Sequence, residues 1–522
     1  MENAVHKIVK GTFLLTAAGF ITRILGFFYK IYLADLLGAH YLGVYQLIFP
    51  VYAICFTIYG AGIQTAISQV IAAQNGSGRK ENSDWKLFCV ATGIAMFFAV
   101  SLQYLIWWKA EWIALHFVME PSLAPYLKIM TVFFPFCCLG ACINGYYYGI
   151  QDARIPAITQ IIEQTFRMLF VFGITMLFFQ GASPEENCRI AIWGLAAGEI
   201  SSCIYNVWKI SCYFRKNEIK KRSPEQKIYL RGMRSLLWLS STLTLTRLFI
   251  TLLNSIESVL LPAMLRKYGY SSEMALSIYG ILTGMTLAFL LFPSTITNSM
   301  AVLLVPSIAE ADAGNDRNMI RKSLFLSVHY CLLLGIFCTG VFLDFGHELG
   351  TVIFHSELCG DFLVVLSWLC PFMYLGTTLT SVINGLKKTH ISFLITAVSL
   401  VVKILFLIYM VPIYGIQIYL IGFLVSQLIQ VLLEGIYLAF YLGRESEDSG
   451  GPDLFHGILL PVMWIIPCCM AAKSSYRWFG SCFQDKYSII GLGLAGMICL
   501  VSYGCGLYIS GCLIWKPVPH RR

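Results

Sequence analysis

Apolar residues run along this chain in long blocks, separated by short polar or basic segments. The blocks repeatedly reach the ~20 residues that cross a bilayer as an α-helix. Fourteen spans are predicted, at 11–33, 43–74, 86–108, 122–149, 155–180, 190–214, 235–262, 275–306, 320–344, 358–385, 390–411, 416–441, 454–472 and 487–512. The second and eighth exceed one crossing and must tilt, kink or protrude. Pro50 and Pro293 are the natural breaks. After the second break, Phe292-Pro-Ser-Thr-Ile-Thr-Asn298 is polar enough to be expected along a cavity rather than against lipid. The predicted fold class is all-α, a polytopic membrane protein of about fourteen transmembrane helices.

Composition agrees. Hydrophobic residues make up 57% and charged residues 12%, about half the ~25% charge of soluble domains. A soluble enzyme, a disordered chain and a nucleic-acid binder with a solvated basic face are excluded. Most of the 18 Cys lie inside apolar runs, Cys137-Cys138 and Cys468-Cys469 among them, and read as small buried apolar residues. No C-x-x-C pair accompanies His at zinc spacing, so no metal site is expected. The absence of a Gly-Lys dipeptide excludes a Walker A phosphate loop. A cleaved signal peptide is not expected, because the apolar run after Lys7 and Lys10 meets Arg23 and continues to Leu33.

The net charge of +9 is distributed unevenly. With the N-terminus placed in the cytoplasm, inside segments hold twenty-three Lys and Arg and outside loops seven. That bias predicts both termini inside and an even number of spans. The longest basic segment, 215–234, separates the first six spans from the rest and suits both topology and anionic lipid.

An internal repeat organises the chain. Shifted by 236 residues, Pro135-Phe136-x-x-Leu139-Gly140 falls on Pro371-Phe372-x-x-Leu375-Gly376, Gly149 on Gly385 and Arg167 on Lys403. Shifted by 224, Thr22-Arg23 falls on Thr246-Arg247; Ile71-Ala72 also matches Ile308-Ala309. The predicted organisation is two pseudo-symmetric six-helix lobes, 1–214 and 235–441, joined by the basic linker 215–234. Two additional C-terminal spans occupy 454–512.

Charges inside the spans carry the functional signal. Arg23, Arg167, Arg247 and Lys403 sit near mid-span, where a cation costs ~2.5–3.5 kcal/mol and needs a partner, a wet cavity or a ligand. Lys30 shares a helical face with Arg23, with Gly26 between them, but lies near a span end and can snorkel. Glu163 precedes Arg167 in the favourable i, i+4 order, within a polar stripe of Gln160, Glu163, Gln164 and Arg167. An internal ion pair that only orients helices is the plainer reading of that pair. Glu257 occupies the outer half of span 7. Counted this way, the interior is net positive, which suits a phosphate or pyrophosphate held by Arg forks. An exporter of organic cations would instead need carboxylates facing aromatics. The 345–361 stretch, with His347, Glu348, His355, Glu357 and Asp361, is expected to be a solvated acidic outer loop. It is also the one place that offers a catalytic cluster.

The stretch Ile21-Thr-Arg-Ile-Leu-Gly-Phe-Phe-Tyr-Lys30, with Gly43-Val-Tyr-Gln-Leu47 and Gly62-Ile-Gln-Thr-Ala-Ile-Ser-Gln-Val-Ile-Ala72, resembles the stage V sporulation protein B and polysaccharide-export flippase family. In the second lobe, Tyr279-Gly-Ile-Leu-Thr-Gly284 and Leu304-Val-Pro-Ser-Ile-Ala-Glu310 resemble it too. The resemblance implies the multidrug/oligosaccharidyl-lipid/polysaccharide exporter superfamily, with two six-helix lobes and alternating access. It also implies a cavity arginine on the first span, which Arg23 fits, and an acidic seventh-span position, which Glu257 fits. Spans 13 and 14 would then line a groove for a polyprenyl tail.

The expected function is therefore that of a flippase for an undecaprenyl-pyrophosphate-linked saccharide, a peptidoglycan or polysaccharide precursor such as one for spore cortex. The protein is not expected to be an enzyme. Arg23, Lys30, Arg167, Arg247 and Lys403 are the expected substrate-binding residues, and Glu163 and Glu257 the charge-pairing or coupling residues. No cofactor is expected beyond a coupling cation, Na+ or H+. The expected partners are the lipid-linked substrate and membrane lipids, without nucleic acid, for a monomer in the bacterial cytoplasmic membrane. A cation-coupled multidrug exporter of the same superfamily is the first alternative, and a membrane glycosyltransferase or ligase the second.

Overall fold

The computed structural model describes residues 2–76, 82–178, 181–216, 226–443, 455–483 and 488–512. Much of the basic linker, as well as Arg79, Lys80, Arg444 and the basic C-terminus, lies outside the described residues. Among the described residues the secondary structure is helical throughout, without a strand.

Packing divides the chain into two compact units. The first runs to Ala263 and adds Ser271–Gly280. It contains α1 (Glu2–Leu47), α2 (Phe49–Phe56), α3 (Gly62–Gly76), α4 (Asn82–Trp112), α5 (Ala124–Met130), α6 (Phe134–Gly149), α7 (Arg154–Leu177), α8 (Pro184–Lys216), most of α9 (Gln226–Tyr268) and α10 (Ser272–Gly280). The second unit holds Met264–Tyr270 and everything from Ile281. Its helices are α11 (Leu287–Leu291), α12 (Ser294–Ala313), α13 (Arg317–Phe354), α14 (Glu357–Leu366), α15 (Leu369–Gly385), α16 (Thr389–Tyr409), α17 (Val411–Tyr414), α18 (Ile416–Leu442), α19 (Leu460–Phe483) and α20 (Ser488–Ile509). Most of the seventh predicted span, Arg247 included, thus packs with the first unit, beyond the linker at which the sequence separates the lobes.

Eleven helical stretches among the described residues are long and apolar enough to cross a membrane, or twelve if α14 and α15, bent by 57°, form one span. The predicted fourteen is not reached by that measure, at two places. Leu14–Ala73 counts as one 60-residue stretch, although ~90 Å of helix at ~1.5 Å per residue is about three times the hydrocarbon thickness. Helix α7 does not qualify, because Gln160, Glu163, Gln164 and Arg167 lower its apolarity.

The breaks fall where the long spans require them. A new helix starts at Phe49 with Pro50 in its first turn, and another at Ser294 directly after Pro293. Each long span also contains a π-helical turn, at Thr57–Ala61 and at Ile281–Thr286. The hydroxyls after the second break are held within the packed helix. Ser294, Thr295 and Thr297 are buried; Ser294 donates to the Leu291 carbonyl at the end of α11 at 2.7 Å, and Thr297 to the Ser294 carbonyl at 3.0 Å.

The repeat reappears in packing within each unit. A Cβ on Gly149 would lie 2.7 Å from Ile71 Cβ, and one on Gly385 2.8 Å from Ile308 Cβ. Both are residue pairs the repeat aligns. Small residues let helices approach closely where lipid gives no hydrophobic drive for association. Gly149→Ala and Gly385→Ala should each cost about 1–3 kcal/mol, seen as a lower unfolding temperature in detergent.

The C-terminal pair packs onto α13. Leu333, Ile336 and Phe345 of α13 interleave with Ile465 and Ala472 of α19 and Ala495 and Tyr503 of α20. His329 Nε2 lies 2.7 Å from the Cys512 carbonyl near one end of this interface. Lys473 Nζ donates to Asp344 Oδ1 at 2.9 Å near the other. The 345–361 stretch is not the expected loop. Helix α13 continues through it to Phe354, and Ser356 caps α14 through Cys359 N at 3.2 Å. Lys473 engages Asp344 and, at 3.9 Å, Glu348, while His347 lies 3.4 Å from Asp361. These carboxylates therefore tie helices together.

Candidate functional site

Arg167 and Glu163 form the i, i+4 ion pair that their spacing predicts. Gln164 Oε1 also accepts from Arg167 Nη1 at 3.4 Å. Both members of the pair are largely buried, with side-chain exposures of 19% for Arg167 and 28% for Glu163. Gly198 of α8 explains how a second helix comes so near. A Cβ there would sit 2.7 Å from the Glu163 carbonyl oxygen and 3.3 Å from Arg167 Cβ.

The next residue on α8 is Glu199, which faces the same guanidinium. Glu163, Arg167 and Glu199 line a cavity of about 240 Å³, together with Tyr52, Phe133 and Leu195. Tyr52 OH lies 3.1 Å from Cys137 Sγ. Two carboxylates thus face one guanidinium, a centre suited to holding Arg167 in place rather than offering its charge freely.

Helix α1 borders this centre. Gly26, between Arg23 and Lys30, would place a Cβ 3.7 Å from Gln164 Nε2. Arg23 is exposed and Lys30 half-buried. Further along, Tyr32 OH and Thr175 Oγ1 are 2.6 Å apart. Arg23 and Lys30 on α1, and Glu163 and Arg167 on α7, thus lie on two neighbouring helices of one unit.

Arg247 and Glu257 lie elsewhere in that unit, on α9. Arg247 is exposed, and its Nη1 donates to the Ala61 carbonyl at 2.7 Å. Ala61 ends the π-helical turn, where widened winding leaves carbonyls short of helical donors, so Arg247 has a structural contact there. Glu257 is buried. Beside it, Ser255 Oγ donates to the Pro50 carbonyl at 3.1 Å.

Lys403 occupies the place in the second unit that the repeat assigns to Arg167, but its surroundings differ. It is buried, with Nζ 3.6 Å from the centre of the Phe423 ring and 5.6 Å from that of Tyr419. Cation–π attraction to these two rings is part of its surroundings. Glu434 of α18 is fully buried; it accepts from Thr380 Oγ1 at 2.6 Å and from Gln430 Nε2 at 3.3 Å.

Glu199 and Glu434 correct the expected charge balance. Sequence reasoning tracked mid-span cations and set against them only Glu163 and Glu257. The signal for the other two was a carboxylate inside an apolar run, Ala-Ala-Gly-Glu199-Ile and Val-Leu-Leu-Glu434-Gly, and it carries the same weight as an in-span arginine. The cations are therefore not equivalent. Arg167 is neutralised and Lys403 enclosed by rings, while the exposed cations are Arg23 and Arg247.

Comparison with known proteins follows the fold. The family model described as polysaccharide biosynthesis protein matches residues 8–312. The chain is 25% identical over 403 residues to Stage V sporulation protein B of Bacillus subtilis (strain 168), covering 77% of each chain. It is 22% identical over 426 residues to Lipid II flippase MurJ of the same organism, covering 76% of each. A solved structure of Lipid II flippase MurJ, in an inward closed conformation, shares the fold with a TM-score of 0.70 and 14% identity. The match covers 95% of this chain and 98% of that one. The activity named among these relatives is a transport activity and not an enzymatic one. With more than half of its length matched by the family model, this multi-span helical membrane protein belongs to the polysaccharide biosynthesis protein family.

Proposed function

We propose that this protein is a flippase that carries an undecaprenyl-pyrophosphate-linked saccharide across the cytoplasmic membrane by alternating access. The family and the flippase named among its relatives support a lipid-linked saccharide as cargo. The observation that carries the reading is the α1 face. Arg23 is exposed far inside a span, and Lys30 follows it on the same face. A guanidinium exposed within a span is accessible to an anionic cargo, and its fork matches paired phosphate oxygens.

Within this reading, Arg23 and Lys30 meet the pyrophosphate. Arg167 is a positioning residue, locked between Glu163 and Glu199 beside the α1 face. Arg247 shares its charge with the Ala61 carbonyl, and Lys403 stiffens the second unit rather than touching the cargo. The site residues otherwise stand as the sequence proposes, with Glu257 open to a role with a coupling cation, Na+ or H+. A monomer with both termini in the cytoplasm completes the proposal.

Binding to the purified protein tests it. A polyprenyl-pyrophosphate saccharide should bind and be displaced by other polyprenyl pyrophosphates, but not by lipophilic cationic drugs. Arg23→Gln should weaken binding roughly tenfold to a hundredfold, the ~1.5–3 kcal/mol of a charge-assisted contact. Tight binding of cationic drugs, untouched by that change, would point to the multidrug alternative.

A further inference from the structure

A second cavity in the first unit has no part in that reading. It measures about 940 Å³ and is almost wholly apolar, walled by Ile58 and Ile63 beside the π-helical turn, Ala91 and Phe98 of α4, and Leu245 and Leu248 of α9. One charged side chain, the exposed Arg234, joins the lining. We propose that this groove is a binding site for a single anionic phospholipid, with its phosphate on Arg234 and its acyl chains along α9.

Three observations fit that occupant. The first is depth: from Arg234 to Leu248 the groove follows α9 for ~21 Å at ~1.5 Å per residue. That is about one leaflet, headgroup region included, since the whole bilayer measures ~40–45 Å. The second is the marking of the mouth. Trp238, 70% exposed, stands one turn from Arg234; Trp and Arg together are the usual furniture of the membrane–water interface. The third is capacity. At about 940 Å³ the cavity lies at the upper end of the ~300–1,000 Å³ of small-molecule pockets, large enough for acyl chains.

Charge favours an anionic headgroup. Arg234 ends the run Arg215, Lys216, Lys220, Lys221, Arg222, Lys227, Arg231, Arg234, and basic residues at the membrane surface attract anionic lipid. The hydroxyls of Ser241 and Thr244 lie along the same wall. Because α9 forms one wall and α4 another, a seated lipid would fill the space between them.

Native mass spectrometry on the full-length protein in mild detergent tests the site, with phosphatidylglycerol and phosphatidylcholine as probes. One phosphatidylglycerol per chain should be retained in preference to phosphatidylcholine. Arg234→Gln should weaken that retention about fivefold, the effect of one interfacial cation, without changing phosphatidylcholine. Leu245→Trp, which fills the groove from an exposed position, should remove the bound lipid while Arg234 stays. Equal retention of both lipids, or an Arg234→Gln protein that behaves as wild type, would reduce the groove to ordinary lipid contact and overturn the assignment. Displacement of phosphatidylglycerol by equimolar undecaprenyl phosphate would overturn it in another way, making the groove a tail site for the transported lipid.

Discussion

Arg167→Gln is expected to be among the most damaging single changes to the folded protein. The substitution leaves Glu163 without its ion-pair partner, in a small cavity that Glu199 also lines. Removing one partner from a buried ionic centre costs ~3–5 kcal/mol, because the other charge is stranded; here that charge is Glu163, the ion-pair partner of Arg167. The fraction recovered as monodisperse protein and its unfolding temperature in detergent should both fall. Glu163→Gln should cost less, since Glu199 still faces Arg167. Adding Glu163→Gln to Arg167→Gln should restore part of the loss, because it removes the stranded charge. Strictly additive losses would show that the groups do not couple.

Arg23→Ala is expected to produce the opposite pattern, with stability kept and transport lost. Taking a cation out of the middle of a span removes ~2.5–3.5 kcal/mol of insertion cost, so abundance in the membrane fraction should hold or rise. Translocation of a lipid-linked pyrophosphate should fall at least roughly tenfold, by the energy of one charge-assisted contact. Lysine should rescue only in part, keeping the charge but losing the bidentate fork. Arg247→Ala should do less to transport and more to stability, because that guanidinium serves the Ala61 carbonyl.

That contrast between two arginines was hidden in the sequence. The repeat aligned Arg23 with Arg247 and gave them one role. Helix identity, the breaks at Pro50 and Pro293, and the Gly149–Ile71 and Gly385–Ile308 contacts were legible, because each follows from local periodicity or an aligned pair. The Glu163–Arg167 pair was legible for the same reason, as a spacing of four on one helix. The rest depends on which helix faces which. Glu199 shares a cavity with Arg167 because Gly198 lets α8 approach α7. Phe423 and Tyr419 meet Lys403 only once α18 lies along α16. The acidic stretch 345–361 read as a loop because its charges looked solvated, yet Lys473 of α19 neutralises part of the cluster through Asp344 and Glu348. Partners set by tertiary packing leave no spacing rule in a single sequence.

Transport itself tests the central claim most directly. The protein is reconstituted into vesicles loaded on one face with a fluorescent polyprenyl-pyrophosphate oligosaccharide, and exposure of the label to a membrane-impermeant quencher is followed in time. The account predicts protein-dependent exposure that saturates with substrate, is inhibited by unlabelled polyprenyl-pyrophosphate saccharide and is lost in Arg23→Ala at matched protein abundance. Exposure no faster than in empty vesicles, from protein that moves a cationic dye under the same conditions, would contradict it.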